Sequence, residues 1–245
     1  MARFPELEGK VALITGAGRR AGLGEGIARR LLQEGCTVVL TDIGSDRGAE
    51  MPVTAVGTGE EVARVAAELA AATGGTCVAM ALDVLEEAQV EAVVAATVLR
   101  FGRLDILVNN AGIGYLMKSL VDVEAKEWDA VLGVNLRGAF LATKHAARAM
   151  IAQGGGGRIV NIASQAAKSA FPHAAAYCSS KHGLVGLTRV AALELGAHGI
   201  NVNAVCPNHV TTGLGAWQNE YFAAKTGRTV EQYLADMRAR IPLGR

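Results

Sequence analysis

The sequence has few cysteines, little net charge and no long apolar run, and each shortage excludes a class of protein. Its 4 cysteines in 245 residues form no C-x-x-C pair, so neither a disulfide framework nor a zinc site is indicated. The formal net charge of +1 indicates no basic face, which argues against a nucleic-acid partner. No apolar segment approaches the roughly 18 residues that cross a membrane, and residues 1–10 lack the apolar core of a signal peptide. We therefore expect a soluble, cytoplasmic protein without a metal site or a membrane segment.

Hydrophobic residues are abundant by contrast, and they follow an alternating pattern. They make up 51% of the chain, which is enough for one large core. Short β-branched runs alternate with longer helical patterns, which predicts an α/β fold: a Rossmann-like, doubly wound parallel sheet in a single domain spanning residues 1–245. The predicted strands are residues 10–15, 36–40, 76–82, 104–108, 158–163 and 200–206. A long helical pattern over 126–150 is predicted to break near Gly133–Asn135.

A glycine-rich turn joins the first predicted strand to the first helix. The second strand is followed by an acidic residue, Asp42. Together these features predict a dinucleotide site, because glycines let the backbone approach a pyrophosphate at the positive end of a helix. The carboxylate of Asp42 would bind the adenosine ribose and repel a 2′-phosphate, which favours NAD over NADP. The glycines are Gly16, Gly18, Gly22, Gly24 and Gly26.

Two arginines in the same turn argue the other way. Arg19 and Arg20 lie between the glycines, and guanidinium groups bind phosphates well. The acid at the strand end is the more directed signal, since loop arginines are often only solvated. NAD is therefore the expected cofactor, and NADP is the alternative.

A second pattern combines Ser164, Tyr177 and Lys181. Tyr177 and Lys181 are 4 residues apart, so on a helix they share one face, and Ser164 stands at a strand end 13 residues before the tyrosine. Running a tyrosine as a base near neutral pH requires lowering its pKa by about 3 units, or roughly 4 kcal/mol. One positive charge at about 4 Å supplies about that much at an effective dielectric of about 20. The pattern predicts an acid/base tyrosine activated by the lysine; the alternative is a surface tyrosine beside a solvated lysine.

Other polar residues follow the predicted strands. Asp42, Asp83, Asn109, Ser164 and the loop 207–209 all stand at carboxyl ends of strands. In a parallel sheet these ends lie on one edge, where ligands bind. The two patterns are therefore expected to form one site.

With these motifs in place, the chain resembles the short-chain dehydrogenases/reductases of about 250 residues, over nearly its whole length. The matching residues are Thr15, Gly16, Gly22, Gly24, Asp83, Asn109, Asn110, Ala111, Gly112, Asn135, Ser164, Tyr177, Lys181, Pro207, Val210 and Thr212.

The resemblance implies roles for four catalytic residues. Tyr177 would be the general acid/base, and Ser164 would hold and polarise the substrate oxygen. Lys181 would lower the pKa of the tyrosine and bind the nicotinamide ribose. Asn135 would hold a water in a proton relay from the lysine; its alternative reading is a cap at the helix break.

The resemblance also implies a cofactor-binding set. Asp83 would contact the adenine, and Val210 and Thr212 would hold the nicotinamide carboxamide, although Thr212 also reads as a plain turn residue. The full set is Gly16, Gly22, Leu23, Gly24, Asp42, Asp83, Val84, Asn109, Ala111, Gly112, Tyr177, Lys181, Pro207, Val210 and Thr212.

The implied reaction is reversible hydride transfer between NAD and a small secondary alcohol or ketone. The alternatives are an NADPH-dependent ketone or 3-oxoacyl reductase and a non-catalytic nucleotide-binding protein of the same fold. A homo-oligomer, dimer or tetramer (the homotetramer being common in the family), is also implied. The aromatic segment 211–233 is expected either to cover the substrate as a lid or to pack on a neighbouring subunit.

The chain departs from the family pattern in four places. The turn from Gly16 to Gly22 and the loop 44–59 are both longer than usual. Asn208 follows Pro207 where the family has glycine, and asparagine tolerates a left-handed backbone, so we expect the turn to survive. The family's C-terminal strand has no counterpart before Arg245.

Overall fold

The computed structural model describes residues 4–44, 58–114, 117–208, 210 and 214–244, and its centre is a parallel sheet. The sheet has 6 strands in the order β3-β2-β1-β4-β5-β6, and every neighbouring pair is parallel. This is the strand order of the doubly wound dinucleotide-binding fold, so the predicted fold class is confirmed. The strands are β1 Val11–Ile14, β2 Thr37–Asp42, β3 Cys77–Ala81, β4 Ile106–Asn109, β5 Gly157–Ile162 and β6 Ile200–Val205.

Helices connect these strands and continue after the last one. Where the sequence predicted a break, residues Gly133–Gly138 form a π-helical turn that joins α4 to α5 without an interruption. The predicted break is thus a change of helix type. The helices are α1 Leu23–Gln33, α2 Gly59–Thr73, α3 Glu87–Phe101, α4 Ala125–Leu132, α5 Ala139–Gln153, α6 Ala175–Leu195, α7 Leu214–Lys225 and α8 Val230–Ala239.

The core lies on both faces of the sheet. Successive residues of a strand point to opposite faces; Leu13 of β1 accordingly packs with α3 and α5, while its neighbour Ile14 packs with α1 and α2. Each strand in the middle of the sheet is therefore apolar on both sides, which explains why the strand runs in the sequence are nearly continuous rather than alternating.

The chain packs into two compact units, Met1–Pro207 and Asn208–Arg245. The first contains the whole sheet and α1 to α6. In the second, Phe222 of α7 stacks on Tyr233 of α8 with ring centroids 6.2 Å apart, and Arg228 forms an ion pair with Asp236. A single domain over 1–245 stays a prediction.

Two predicted segments lie partly outside the described residues. Of the long loop 44–59, residues 45–57 lie outside them, and its ends meet where Gly59 N donates to Gly44 O at 3.1 Å. Of the segment 211–233, residues 211–213 lie outside them.

Within the described residues, no helix is both long and apolar enough to span a bilayer, and no cluster of His, Cys, Asp or Glu is arranged to hold a metal ion. The 4 cysteines are free thiols.

Candidate active site

The glycine turn after β1 packs tightly against the segment that follows β4. Gly16 has a φ of +62°, and a Cβ there would lie 2.5 Å from the Cα of Ala111, so only glycine fits. Thr15 Oγ1 accepts hydrogen bonds from the backbone N–H groups of Asn110 and Ala111, each at 3.1 Å. Asn110 Nδ2 donates to Gly16 O at 2.7 Å. These contacts hold the two loops together at the edge of the sheet where the predicted cofactor residues lie.

The start of α1 has the features that a pyrophosphate requires. Gly22 occupies the N-cap position and provides no capping side chain, so no side chain blocks the N–H groups and partial positive charge of the first turn. A Cβ on Gly24 would lie 2.7 Å from the Cα of Ala17, which keeps the helix close to the turn. Leu23, the first residue of α1, is 41% exposed. The residues present therefore fit a dinucleotide.

Asp42 ends β2 and is tied to the same turn. Its Oδ2 accepts from Gly18 N at 2.9 Å and its Oδ1 from Ile43 N at 2.8 Å, leaving further lone pairs on both oxygens. Burial raises the pKa of this carboxyl, and the two hydrogen bonds and the charge of Arg19 oppose that rise. Arg20, by contrast, forms an ion pair with Glu68 of α2. The acid is thus fixed at the strand end, and one of the two competing arginines already has a carboxylate partner.

The predicted cofactor residues at the ends of β3 and β4 make different kinds of contact. Asp83 Oδ1 accepts from Leu85 N at 2.9 Å, and Val84 is buried, with its Cγ2 2.7 Å from where a Cβ on Gly138 would lie. Asn109 instead directs its Nδ2 into the interior, where it donates to Thr143 Oγ1 at 2.9 Å and Asn161 Oδ1 at 2.8 Å. Its side chain therefore joins β4 to α5 and β5, a role that the sequence alone did not suggest.

Ser164 and Tyr177 meet where β5 ends and α6 begins. Ser164 follows the strand and caps a short 3₁₀ turn, its Oγ accepting from Ala166 N at 3.1 Å. Tyr177, the third residue of α6, is hydrogen-bonded to Ser164. Burial raises the pKa of the Tyr177 phenol, and the hydrogen bond with Ser164 acts in the opposite direction. The predicted partnership of hydroxyl and phenol is present in the geometry.

Lys181 lies one turn further along α6 and is only 4% exposed. Its Nζ is 5.7 Å from the centroid of the Tyr177 ring and donates to Ile162 O at 2.8 Å. Burial lowers the pKa of this lysine to about 8. The sequence led us to expect that the lysine lowers the pKa of the tyrosine, but in this structure burial dominates and the tyrosine pKa is raised. The physical reason is that both groups are desolvated, which penalises the charged form of each.

Asn135 lies in the π-helical turn and is 1% exposed. Its Oδ1 accepts from Ile113 N at 2.9 Å, and its Nδ2 donates to Ile113 O and to Ser180 Oγ, both at 3.1 Å. A Cβ on Gly112 would lie 3.4 Å from Asn135 Oδ1 and 3.6 Å from Lys181 Nζ. The side chain thus makes long-range contacts beyond those of a cap at a helix break, and it flanks Gly112 together with the lysine.

The last predicted cofactor residues are divided between the two units. Pro207 follows β6, and its carbonyl accepts from Gln165 N at 2.9 Å, beside Ser164. Val210 belongs to the second unit, and Thr212 lies outside the described residues. Ser180 was not predicted, although the sequence carries a signal for it: a hydroxyl three residues after Tyr177 and one before Lys181 shares their part of the helix.

Comparisons with known proteins identify the family of the chain. A family model described as short chain dehydrogenase matches residues 10–221. A short-chain dehydrogenase/reductase of Armillaria gallica is 43% identical over 212 residues, 86% of this chain and 75% of the relative. The galactitol 2-dehydrogenase of Agrobacterium fabrum is 37% identical over 239 residues, 98% of this chain and 85% of the relative. The crystal structure of carveol dehydrogenase from Mycobacterium avium in complex with NAD matches with a TM-score of 0.83 at 32% identity, covering 91% of this chain and 79% of that one.

Proposed function

Because the chain belongs to the short-chain dehydrogenase/reductase family, we propose that it transfers hydride reversibly between NAD and a secondary alcohol or ketone, using Ser164, Tyr177 and Lys181. Family membership makes it an oxidoreductase that acts on CH–OH groups with NAD(P). The choice of NAD, the residue roles and the secondary alcohol are the parts that we propose.

Residues of the chain transfer the proton and bind the substrate oxygen. When bound, NAD supplies the atom that accepts the hydride. In the oxidative direction, Tyr177 takes the proton of the substrate hydroxyl while the C–H bond of the carbinol carbon breaks and its electron pair leaves with the hydride. The O–H electron pair then forms the C=O bond. Ser164 donates a hydrogen bond to the oxygen as the carbonyl develops, and reduction follows the same path in reverse.

The electrostatics suit both directions of this reaction. The phenol of Tyr177 is partly buried and its pKa is raised, so it holds its proton at neutral pH and can act as the acid in ketone reduction. In oxidation the phenolate must form, and the ammonium of Lys181 at 5.7 Å from the ring stabilises that negative charge. The lysine pKa of about 8 means that this stabilising charge is still present at neutral pH.

The observation that carries the proposal is the burial of Lys181 beside a hydrogen-bonded pair of Ser164 and Tyr177. Burying an ammonium group is unfavourable, and its single described hydrogen bond is to one backbone carbonyl. A protein that merely bound a nucleotide could use the lysine for the ribose, but it would not need a hydrogen-bonded hydroxyl and phenol beside it. The alternative of a non-catalytic binding protein is therefore disfavoured.

Asp42 supports NAD as the cofactor. Its carboxylate is held at the end of β2 by two backbone N–H groups, and a negative charge there repels a 2′-phosphate. The pairing of Arg20 with Glu68 weakens the argument for NADP. The relative of known structure with NAD bound supports the same choice.

The substrate is proposed only as a class. Two of the relatives are named for galactitol and carveol, alcohols with very different carbon skeletons, so relatedness does not select between them. The rings of Tyr221, Phe222 and Tyr233 in the segment 211–233 pack on one another, and both expected roles of this segment, covering the substrate or packing on a neighbouring subunit, stay open.

Tyr177→Phe tests the proposal, because it removes only the phenolic oxygen. We expect kcat with a responsive alcohol, found by screening a panel of secondary alcohols with NAD, to fall by about 10²- to 10⁴-fold. The dissociation constant of NAD should change by less than about threefold, since the remaining contacts are intact. Turnover is followed through the absorbance of the reduced nicotinamide.

The matched control is a pair of serine variants. Ser164→Ala should lower kcat by about 10²-fold, whereas Ser169→Ala, in the same loop and hydrogen-bonded to Gln165, should leave it unchanged. A near-normal rate in Tyr177→Phe would remove the tyrosine from the mechanism.

A further inference from the structure

Ser180 is fully buried on α6, between Tyr177 and Lys181 in the sequence, with 0% exposure. Its hydroxyl makes two hydrogen bonds. It donates to the carbonyl of Tyr177 at 2.8 Å and accepts from Asn135 Nδ2 at 3.1 Å. One side chain thereby links the catalytic turn of α6 to the π-helical turn Gly133–Gly138.

The direction of these bonds fixes the amide of Asn135. A hydroxyl has one proton, and because Ser180 gives it to a carbonyl, it can only accept from the amide. The NH₂ group of Asn135 must therefore face the serine. Its Oδ1 is then turned toward Ile113 N at 2.9 Å, and the carbonyl of Ile113 accepts the other amide proton. The hydroxyl of Ser180 and the N–H and carbonyl of Ile113 are thus all satisfied by the same orientation of the Asn135 amide.

The orientation matters for the lysine. Asn135 Oδ1 and Lys181 Nζ flank the same glycine, at 3.4 and 3.6 Å from the position of a Cβ on Gly112. The oxygen is the negative end of the amide dipole, and a negative end near an ammonium group favours its charged form. If the amide turned over, its positive end would take that place and the lysine would lose its proton more readily.

We propose that Ser180 is a positioning residue for the hydride-transfer reaction: it orients Asn135 beside Lys181 and fastens the π-helical turn to the catalytic turn of α6. Ser180 acts through Asn135 and touches neither substrate nor cofactor. The inference rests on the proposed function of the Ser164, Tyr177 and Lys181 site.

The same helix contains a matched arrangement away from the catalytic residues. Thr188 Oγ1 donates to Leu184 O at 2.7 Å and accepts from Asn161 Nδ2 at 2.8 Å. It is also buried, and it lies two turns further along α6, about 12 Å away along the axis. Thr188 therefore makes the same two kinds of hydrogen bond without contacting Asn135 or Lys181.

The experiment compares Ser180→Ala with Thr188→Val, each of which removes one such hydroxyl. We expect Ser180→Ala to lower kcat by about 10- to 100-fold with an NAD dissociation constant within about twofold of the wild type. We also expect the rise of alcohol oxidation with pH to move to higher pH, because a less stabilised ammonium gives less help to the phenolate. Both variants should lower the melting temperature by similar amounts, because each loses one buried hydroxyl. Thr188→Val should nevertheless leave kcat and the pH profile unchanged.

A double-variant cycle tests whether the effect passes through Asn135. The kcat of Ser180→Ala combined with Asn135→Ala should equal that of Asn135→Ala alone. Ser180→Cys keeps a weak donor and acceptor of similar size, so its kcat should lie between those of the wild type and Ser180→Ala. It provides the kinetic data if the alanine variant does not fold.

Three results would overturn the positioning role: an unshifted pH profile, a loss of kcat in Thr188→Val as large as in Ser180→Ala, or fully additive effects in the double variant. Failure of the proposed function is recognised separately, because Tyr177→Phe would then retain its turnover whatever Ser180 does.

Discussion

The two ends of the proposed cofactor site are built in opposite ways. The glycine turn, with Gly16 and Gly24, is made of backbone groups packed so closely that side chains are excluded. The catalytic end is made of polar side chains, of which Asn135 and Lys181 are buried and Tyr177 is partly buried. The glycine turn needs positions without side chains, and its close packing stabilises the fold. The catalytic end needs polar groups whose desolvation is unfavourable, so it lowers the stability of the fold in return for activity.

This contrast predicts that substitutions at the two ends separate binding, stability and turnover. Removing the buried charge at the catalytic end should reduce kcat while leaving the fold as stable as before, or more so. A change at the glycine end should weaken NAD binding and the fold while leaving turnover at saturating NAD nearly intact.

The largest effect is expected from Lys181→Met. It removes the charge that stabilises the phenolate, so kcat should fall by about 10³-fold. The free energy of unfolding at pH 7 should not fall, because a lysine pKa lowered from 10.5 to about 8 corresponds to about 3 kcal/mol of unfavourable burial. The unpaired Ile162 carbonyl offsets this by about 1 to 3 kcal/mol.

The pH dependence of stability checks the same variant. Because the folded-state pKa of the lysine lies below its unfolded value, the unfolded chain binds more protons between about pH 8 and pH 10. The lysine's contribution to stability therefore rises with pH in that window, and urea denaturation should show that Lys181→Met lacks this rise. Identical slopes for the two proteins between pH 7 and pH 9.5 would contradict the prediction.

Gly16→Ala should give the next largest effect. The new Cβ would lie 2.5 Å from the Cα of Ala111 at a φ of +62°, so the turn must move. We expect a loss of about 2 to 4 kcal/mol in stability and a loss of about 10²-fold in NAD affinity, measured by urea denaturation and by titration.

Gly26→Ala is the matched control for Gly16→Ala. Gly26 lies in α1, and a Cβ there meets nothing within 4 Å, so the variant should be about 0.5 to 1 kcal/mol more stable. A Gly16→Ala variant that behaved like this control would show that the close approach is unimportant.

The pH profile of activity should differ between the two directions. Oxidation uses the phenolate of Tyr177, whose pKa is raised by burial, so kcat/KM for the alcohol should rise nearly tenfold per pH unit across the neutral range. Ketone reduction uses the protonated phenol and should be nearly flat from about pH 6 to pH 8. An oxidation profile that levels off below pH 7 would be inconsistent with a phenol of raised pKa as the base.

The smallest effects concern the choice between NAD and NADP. Asp42→Asn removes the charge but keeps an acceptor for a backbone N–H, and it should raise kcat/KM for NADP relative to NAD by about tenfold. Arg20→Gln should leave that ratio within about twofold, because Arg20 is paired with Glu68. A large loss of NADP activity in Arg20→Gln would favour the NADPH-dependent alternative.

The glycine end was predictable from the sequence because its signals are local. A strand, a run of glycines and an acid at the next strand end are adjacent in the chain, and the parallel order of the sheet follows from the alternation of strands and helices. Even there, the glycines hide the start of the helical pattern, because α1 begins at Leu23 and includes Gly24 and Gly26.

The catalytic end was only half predictable. The spacing of Tyr177 and Lys181 predicts that they share one face of a helix, and the position of Ser164 predicts a hydroxyl at the end of a strand. The sequence does not give the burial of these groups, which determines the direction of both pKa shifts. It also does not give the inward turn of Asn109 or the link from Ser180 to Asn135, since those depend on which helix turns pack together.

The π-helical turn has a consequence for insertions and deletions. Such a turn accommodates one residue more than regular winding does, which amounts to about 100° of rotation. Deleting one residue from Gly133–Gly138 would therefore let the turn return to regular α-helical winding, and the stripe of Leu141, Ala142 and Met150 would keep facing the sheet. Such a deletion would remove the geometry of the turn itself, which places Asn135 against Ile113 and Ser180.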